Sequence, residues 1–338
     1  MSIATKILSQ AALITASLAL TLPQAIADTP ANTLLSAEAN HPKIHFLPKH
    51  PVRAARSIAY AVKDTGPLKY FGGSVMTGNV TLYAIYWAPP QLQNGNTASM
   101  ASSYRQLQSR LLADFPYHGL ASNLTQYYQQ TGGVKTYISG QMTFGGEYVD
   151  TTPYPSSLCP ASTTPDACIT DADIQKEVKK VMALKGWKGG THSIFMVYTA
   201  KDEDVCDSTS PNSQCANLDY CGYHSYIAQT TPVVYAIMPY GDPIGCGTPQ
   251  NPNNLPAAEA AASTASHEIS EAVTDPLING WMSAQGSEIA DLCDYIASSA
   301  GYKNTWKNGT ANQMWNGHYY ELELEYDNHT KSCVTVGP

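Results

Sequence analysis

Positive charge is scarce in this chain and nowhere concentrated: 19 Lys and Arg face 27 Asp and Glu over 338 residues, leaving a formal charge of −8. Nucleic acid needs a cationic face for its phosphates, so that class of partner drops out. No Gly-x-Ser-x-Gly elbow and no phosphate-binding glycine loop occurs, which removes serine-hydrolase and nucleotide readings. No Cys-x-x-Cys pair suggests a zinc ribbon or a redox site. There is no internal repeat and no long linker. Beyond the N-terminus, no stretch approaches the roughly 20 apolar residues of a bilayer span, so no stable membrane anchor is expected. Phenylalanine is rare, 5 against 22 tyrosines. Tyrosine pairs an apolar ring with a wet hydroxyl, which suits an extracellular surface or a groove for sugar or peptide.

What is present points outward from the cytoplasm. Lys6 precedes the apolar stretch Ile7 to Leu22, and Ala25-Ile26-Ala27 reads as a small-x-small cleavage site. Residues 1–27 are therefore expected to be a secretory signal peptide, with an extracellular or periplasmic mature protein. The eight cysteines, Cys159, Cys168, Cys206, Cys215, Cys221, Cys246, Cys293 and Cys333, all follow it. An even count in an exported chain reads as four disulfides. Their pairing stays open, although Cys293 with Cys333 is attractive because both lie beyond the other six.

Residues 28–72 scatter Pro30, Pro42, Pro48 and Pro51 among His41, His45 and His50 without an amphipathic period. They read as a leader, a pro-segment or a loosely docked arm, and the histidines as solvated linker. From residue 73 on, strands and helices interleave. Strands are expected at Val80–Trp87, Val134–Ser139, Ser193–Thr199 and Val233–Tyr240. Helices are expected over 98–115, 120–130 (stopped by Gly132-Gly133), from Thr170 to Gly186 with Asp173 in a capping box, and from Pro256 to Thr274. The pattern implies one α/β or α+β domain over 73–338, a mixed sheet with packed helices, stapled by disulfides.

The chemistry-bearing stretch is Ser266 to Cys293. His267 and Glu271 share one face of the Ala-rich helix, with Glu268 beside it. That is the geometry of a zinc hydrolase's H-E-x-x-H, with Glu in place of the second His. The expected centre is zincin-like: His267, Glu271 and Glu288 as metal ligands, and Glu268 as the base that activates a metal-bound water. Asp275 or Asp291 would accept the His267 ring N–H from behind. One imidazole and two carboxylates make a harder donor set than two imidazoles, so Mn²⁺ or Ca²⁺ compete with Zn²⁺. Against this stands a plain acid cluster on a packed helix. His224 reads as a hydrogen-bonding loop residue, His192 carries no partner pattern, and Trp281, Trp306 and Trp315 fit either a groove or the core.

Three segments resemble the EXORDIUM / phosphate-induced protein family of secreted proteins: Val75-Met76-Thr77-Gly78-Asn79-Val80-Thr81-Leu82-Tyr83, the Cys206 … Cys221-Gly222-Tyr223-His224 region, and Asn316-Gly317-His318-Tyr319-Tyr320 … Cys333. The resemblance implies an extracellular, wall-associated protein, in plants tied to growth regulation without an established enzymatic activity. Its bacterial branch carries a stretch similar to His267, Glu268, Glu271, Ala272, Thr274, Asp275, Pro276, Trp281, Gly286, Glu288, Ile289, Asp291 and Cys293. Taken with the residues, the expected function is a secreted zinc-dependent, peptidase-like hydrolase acting on an extracellular peptide or cell-wall substrate. The alternatives are a non-catalytic binding or signalling protein with a structural acid or calcium cluster, and a wall-glycan binder using its tyrosines and tryptophans.

Overall fold

Val80 to Trp87 runs Val-Thr-Leu-Tyr-Ala-Ile-Tyr-Trp, bulky on both faces, as a strand covered on both sides must be. In the computed structural model, which describes residues 44–49, 64–116, 118–248, 250–293 and 311–337, it lies inside a six-stranded mixed sheet. Residues 1–27, expected as a signal peptide, and Trp306 lie outside the described residues. The sheet strands are β1 (His45–Pro48), β2 (Val80–Trp87), β3 (Met142–Asp150), β4 (Gly190–Thr199), β5 (Tyr220–Ile227) and β6 (Val233–Met238). Their spatial order is β1-β5-β6-β4-β2-β3. β6, β4, β2 and β3 are parallel, while β5 runs antiparallel to β6 and β1 antiparallel to β5.

Three main helices cover the faces: α1 (Ser102–Asp114), α2 (Asp171–Lys185) and α3 (Pro256–Thr274). Side chains alternate across a strand, so each face draws every second residue. Ile194, Met196 and Tyr198 of β4 pack with Leu107 and Leu111 of α1 and Ala261 and Ala265 of α3. Phe195 and Val197 pack on the other face with Ile174, Val178 and Val181 of α2. The expected caps of α2 are present: Thr170 and Asp173 form the capping box, and Gly186 ends the helix at φ +70°.

The segment 28–72 supplies part of this architecture. His45–Pro48 is the edge strand β1, and Lys69–Tyr70 pairs with Trp281–Met282. The described residues all belong to one compact unit. The helix expected over 120–130 is shorter than anticipated. Gly119–Asn123 is a single helical stretch, followed by a 3₁₀ turn and the hairpin Tyr128–Thr131 with Val134–Tyr137. Gly132 and Gly133 take φ of +56° and +85°. That is the two-residue turn that matches strand twist, so the glycines turn a hairpin and do not stop a helix.

All eight cysteines pair: Cys159–Cys168, Cys206–Cys215, Cys221–Cys246 and Cys293–Cys333. No helix among the described residues is long and apolar enough to cross a membrane.

Helix α3 is buried from Ala258 to Thr274. Its alanines let it press against β5 and β6, and one glycine on β5 makes the approach possible. A Cβ on Gly222 would lie 2.5 Å from Thr264 Cγ2 and 2.8 Å from the Ile237 carbonyl oxygen. Gly222→Ala is therefore expected to destabilise the fold by about 1–3 kcal/mol through overpacking. Chemical denaturation with the disulfides intact measures this; an unchanged midpoint would contradict the close approach of α3 to β5.

Candidate metal centre on helix α3

The helix period sets His267 and Glu271 one turn apart, and their side chains meet, Nε2 to Oε1, at 3.1 Å. Glu268 turns toward the sheet instead. There Glu268 Oε2 lies 3.3 Å from His224 Nδ1. The alternation of β5 explains why His224 is present: Tyr223 and Ile227 face α2, so Gly222 and His224 face α3. His45 is the register partner of His224 across the β1–β5 ladder and enters the same space.

The chain returns over α3 after Trp281. The Ser283 hydroxyl accepts the Gln285 and Ser287 amides, and Gly286 supplies the turn at φ +97°. Glu288 N–H then donates to Asp291 Oδ2 at 2.7 Å, and Asp291 N–H donates to Glu271 Oε1 at 3.2 Å. The disulfide Cys293–Cys333 and the Tyr326 N–H bond to the Ile289 carbonyl (2.9 Å) hold this return in place.

Donor atoms within 4.8 Å of one another fall into three overlapping sets here: His267, Glu271 and Asp291; His45, Glu271 and Glu288; His224, Glu268 and Glu271. Glu271 belongs to all three. The expected ligand trio of His267, Glu271 and Glu288 is thus split. Asp291 takes the place beside His267, Nε2 to Oδ1 3.8 Å. Glu288 Oε2 goes to His45 Nδ1 at 3.3 Å and to His224 Nε2 at 3.6 Å. The reason is local. Between Glu288 and Cys293 the regular structure is a 3₁₀ turn, Asp291–Cys293, which aims Asp291 and Glu288 at different imidazoles.

Asp275 does not serve His267. One of its oxygens accepts the Asn279 and Gly280 amides at 2.5 and 2.6 Å, folding the turn that ends α3. The His267 ring is fixed by Glu323, Nδ1 to Oε2 2.9 Å. Next to it Glu325 hydrogen-bonds the Ser270 hydroxyl. Sequence reasoning missed His45, His224, Glu323 and Glu325. The alternation Tyr-Cys-Gly-Tyr-His-Ser-Tyr-Ile carried a strand signal for His224. Glu-Leu-Glu-Leu-Glu reads as an acidic exposed edge, yet every residue of it is buried. Trp281 and Trp315 belong to the core.

Within the cluster only His45 and Asp291 present appreciable surface, with 20% and 12% of their side chains exposed. No lysine or arginine among the described residues is salt-bridged to its carboxylates; the ion pairs run to imidazole. Burial pulls the His45 and His224 rings down, but the facing carboxylates outweigh it. Asp291 and Glu271 raise His45 to about 9, and Glu268 and Glu271 raise His224 to about 10. Against the same burial, Glu271 and Glu323 hold His267 well above its ordinary value. Burial would raise Glu271 too, but the His267 and His45 rings keep it well below the usual carboxylate range. Burial, reinforced by the charges of Glu271 and Asp275, pushes Glu288 well up, and burial likewise raises Glu268 and Asp275. In the metal-free cluster the carboxylates thus favour the protonated imidazoles, burial favours the neutral forms of Glu288, Glu268 and Asp275, and the imidazoles favour an ionised Glu271.

No protein-family model and no solved structure matches the chain. Protein EXORDIUM-like 3 of Arabidopsis thaliana is 23% identical over 259 residues, covering 69% of this chain and 70% of that protein. This similarity supports the EXORDIUM reading of the sequence. With the four disulfides it fits an extracellular protein.

Raised imidazoles give a definite pH dependence. Their contribution to stability is complete below the ordinary histidine value of 6.5 and is lost as pH climbs through about 9 and about 10. The melting temperature of chelator-treated protein should therefore fall as pH rises from about 7 to about 10. Histidine proton resonances of His45 and His224 should titrate in that alkaline window. Midpoints near 6.5 in the NMR titration would contradict the clustered-charge geometry.

Proposed function

We propose that this chain is an exported metalloprotein in which α3 holds a divalent cation, and that the cation activates water to hydrolyse an extracellular peptide or related bond. The carrying observation is the pairing of His267 with Glu271 at 3.1 Å while Glu323 fixes the opposite ring nitrogen. Donors bound to one zinc at about 2.0–2.2 Å stand roughly 3–3.6 Å apart, and the His267–Glu271 edge fits that spacing. A carboxylate behind a ligating histidine is the usual device for fixing its tautomer. Asp291 completes this donor set, and its partial exposure gives the solvent side on which a substrate carbonyl would approach.

Glu268 is the group we assign to take the proton from bound water. It neighbours Glu271, burial raises its carboxyl, and its Oε1 has no hydrogen-bond partner. Imidazole with two carboxylates accepts zinc but also manganese or calcium. The second reading, a non-catalytic extracellular protein with a structural cation, is favoured by the near-complete burial of Glu268 and Glu271 and by the similarity to EXORDIUM-like 3. Both readings share the cation and differ in turnover.

Elemental analysis of the purified mature protein should find bound divalent metal, and His267→Ala should remove it from this position. Glu323→Gln should weaken the affinity by about 10–100-fold. Glu268→Gln should retain the metal while abolishing peptide hydrolysis. Metal-free wild-type protein that cannot be reloaded would overturn the cation. Full turnover by Glu268→Gln would remove Glu268 from its role, and a loaded wild type without turnover on any peptide would favour the structural reading.

A further inference from the structure

The donors are too many and too divided for one ion. We infer that the cluster holds two divalent cations, with Glu271 bridging a helix-borne site (His267, Asp291) and a strand-side site built from His45 and Glu288. This inference rests on the cation reading above and adds a second centre to it.

Three observations carry it. First, Glu271 belongs both to the set with His267 and Asp291 and to the set with His45 and Glu288, and its two oxygens face different neighbours, Oε1 to His267 Nε2 at 3.1 Å and Oε2 to His224 Nδ1 at 3.6 Å. A carboxylate used in this way spans two ions. Second, His45, Glu271 and Glu288 each place a donor atom within 4.8 Å of the others, and Glu288 stands at the centre of the strand side. Glu288 Oε2 is 3.3 Å from His45 Nδ1 and 3.6 Å from His224 Nε2, longer than a good hydrogen bond and right for the edge of a coordination shell.

Third, each strand imidazole has one nitrogen held by an acid and the other aimed at Glu288. His45 Nε2 is held by Asp291 at 2.5 Å, and His224 Nδ1 by Glu268 at 3.3 Å. His224 Nε2 is buried without a hydrogen-bond partner, and the buried Glu288 carboxyl meets another acid, Asp275, with no N–H among the described residues donating to either of its oxygens. Buried polar atoms are rarely left so, and a cation beside Glu288 would satisfy its carboxyl. Charge points the same way: the carboxylates of the donor sets, Glu268, Glu271, Glu288 and Asp291, carry four negative charges when ionised, which two dications match and one does not. A carboxylate-bridged pair is also suited to hydrolysis, because one ion can carry the water while the other polarises the substrate oxygen.

The test uses the full mature chain, stripped with chelator and reloaded with Mn²⁺. Isothermal titration should give two equivalents per chain, and electron paramagnetic resonance should show an exchange-coupled pair. His45→Ala, with circular dichroism matching wild type, should bind one equivalent with an uncoupled signal; Glu288→Gln provides a second variant with the same expected stoichiometry. One equivalent in wild type with an uncoupled signal would overturn the second site and leave the cation reading standing. No binding at all would overturn both.

Discussion

Carboxylates enclosed by protein must find a counter-charge, and the interior around Glu271 is organised by that demand. Leaving an isolated ion in such surroundings costs several kcal/mol. Without a cation the demand favours protons on three imidazoles and on the acids that burial raises. A divalent cation would meet it by displacing those protons, so metal affinity should rise with pH over the same range in which the metal-free fold weakens. Protons and metal compete for one set of atoms.

The rest of the fold serves this placement. A helix can carry histidine and two glutamates inside a protein only if it lies close to partners for each of them. Small residues along α3 and Gly222 on β5 bring helix and strand near enough for Glu268 to reach His224. The antiparallel addition of β1 then sets His45 directly across from His224. A disulfide anchors the returning segment that carries Glu288 and Asp291, and Glu323 arrives from the C-terminal stretch. Five separate pieces of the chain converge, and only one of them, α3, holds its donors by local spacing.

That division explains what could be read in the amino-acid order. The extent of α3, its proline start and its Asp275-Pro276 end follow from local rules, as do the caps of α2 and the β2 strand. His267, Glu268 and Glu271 were visible for the same reason. Asp291 and Glu288 were visible as acids, but which of them faces His267 depends on the path of a loop. His45 was hidden because its role comes from pairing with a strand about 180 residues away, which no local pattern records. Glu323 was hidden because alternating Glu and Leu ordinarily puts the acids in water, whereas here packing covers both faces.

Anomalous diffraction from crystals of the zinc-loaded mature protein, collected on both sides of the zinc absorption edge, tests the central claim most directly. The account predicts anomalous density within bonding distance of His267 Nε2 and a Glu271 oxygen. Crystals of loaded protein in which those atoms contact only each other and water, with no anomalous density beside α3, would contradict it.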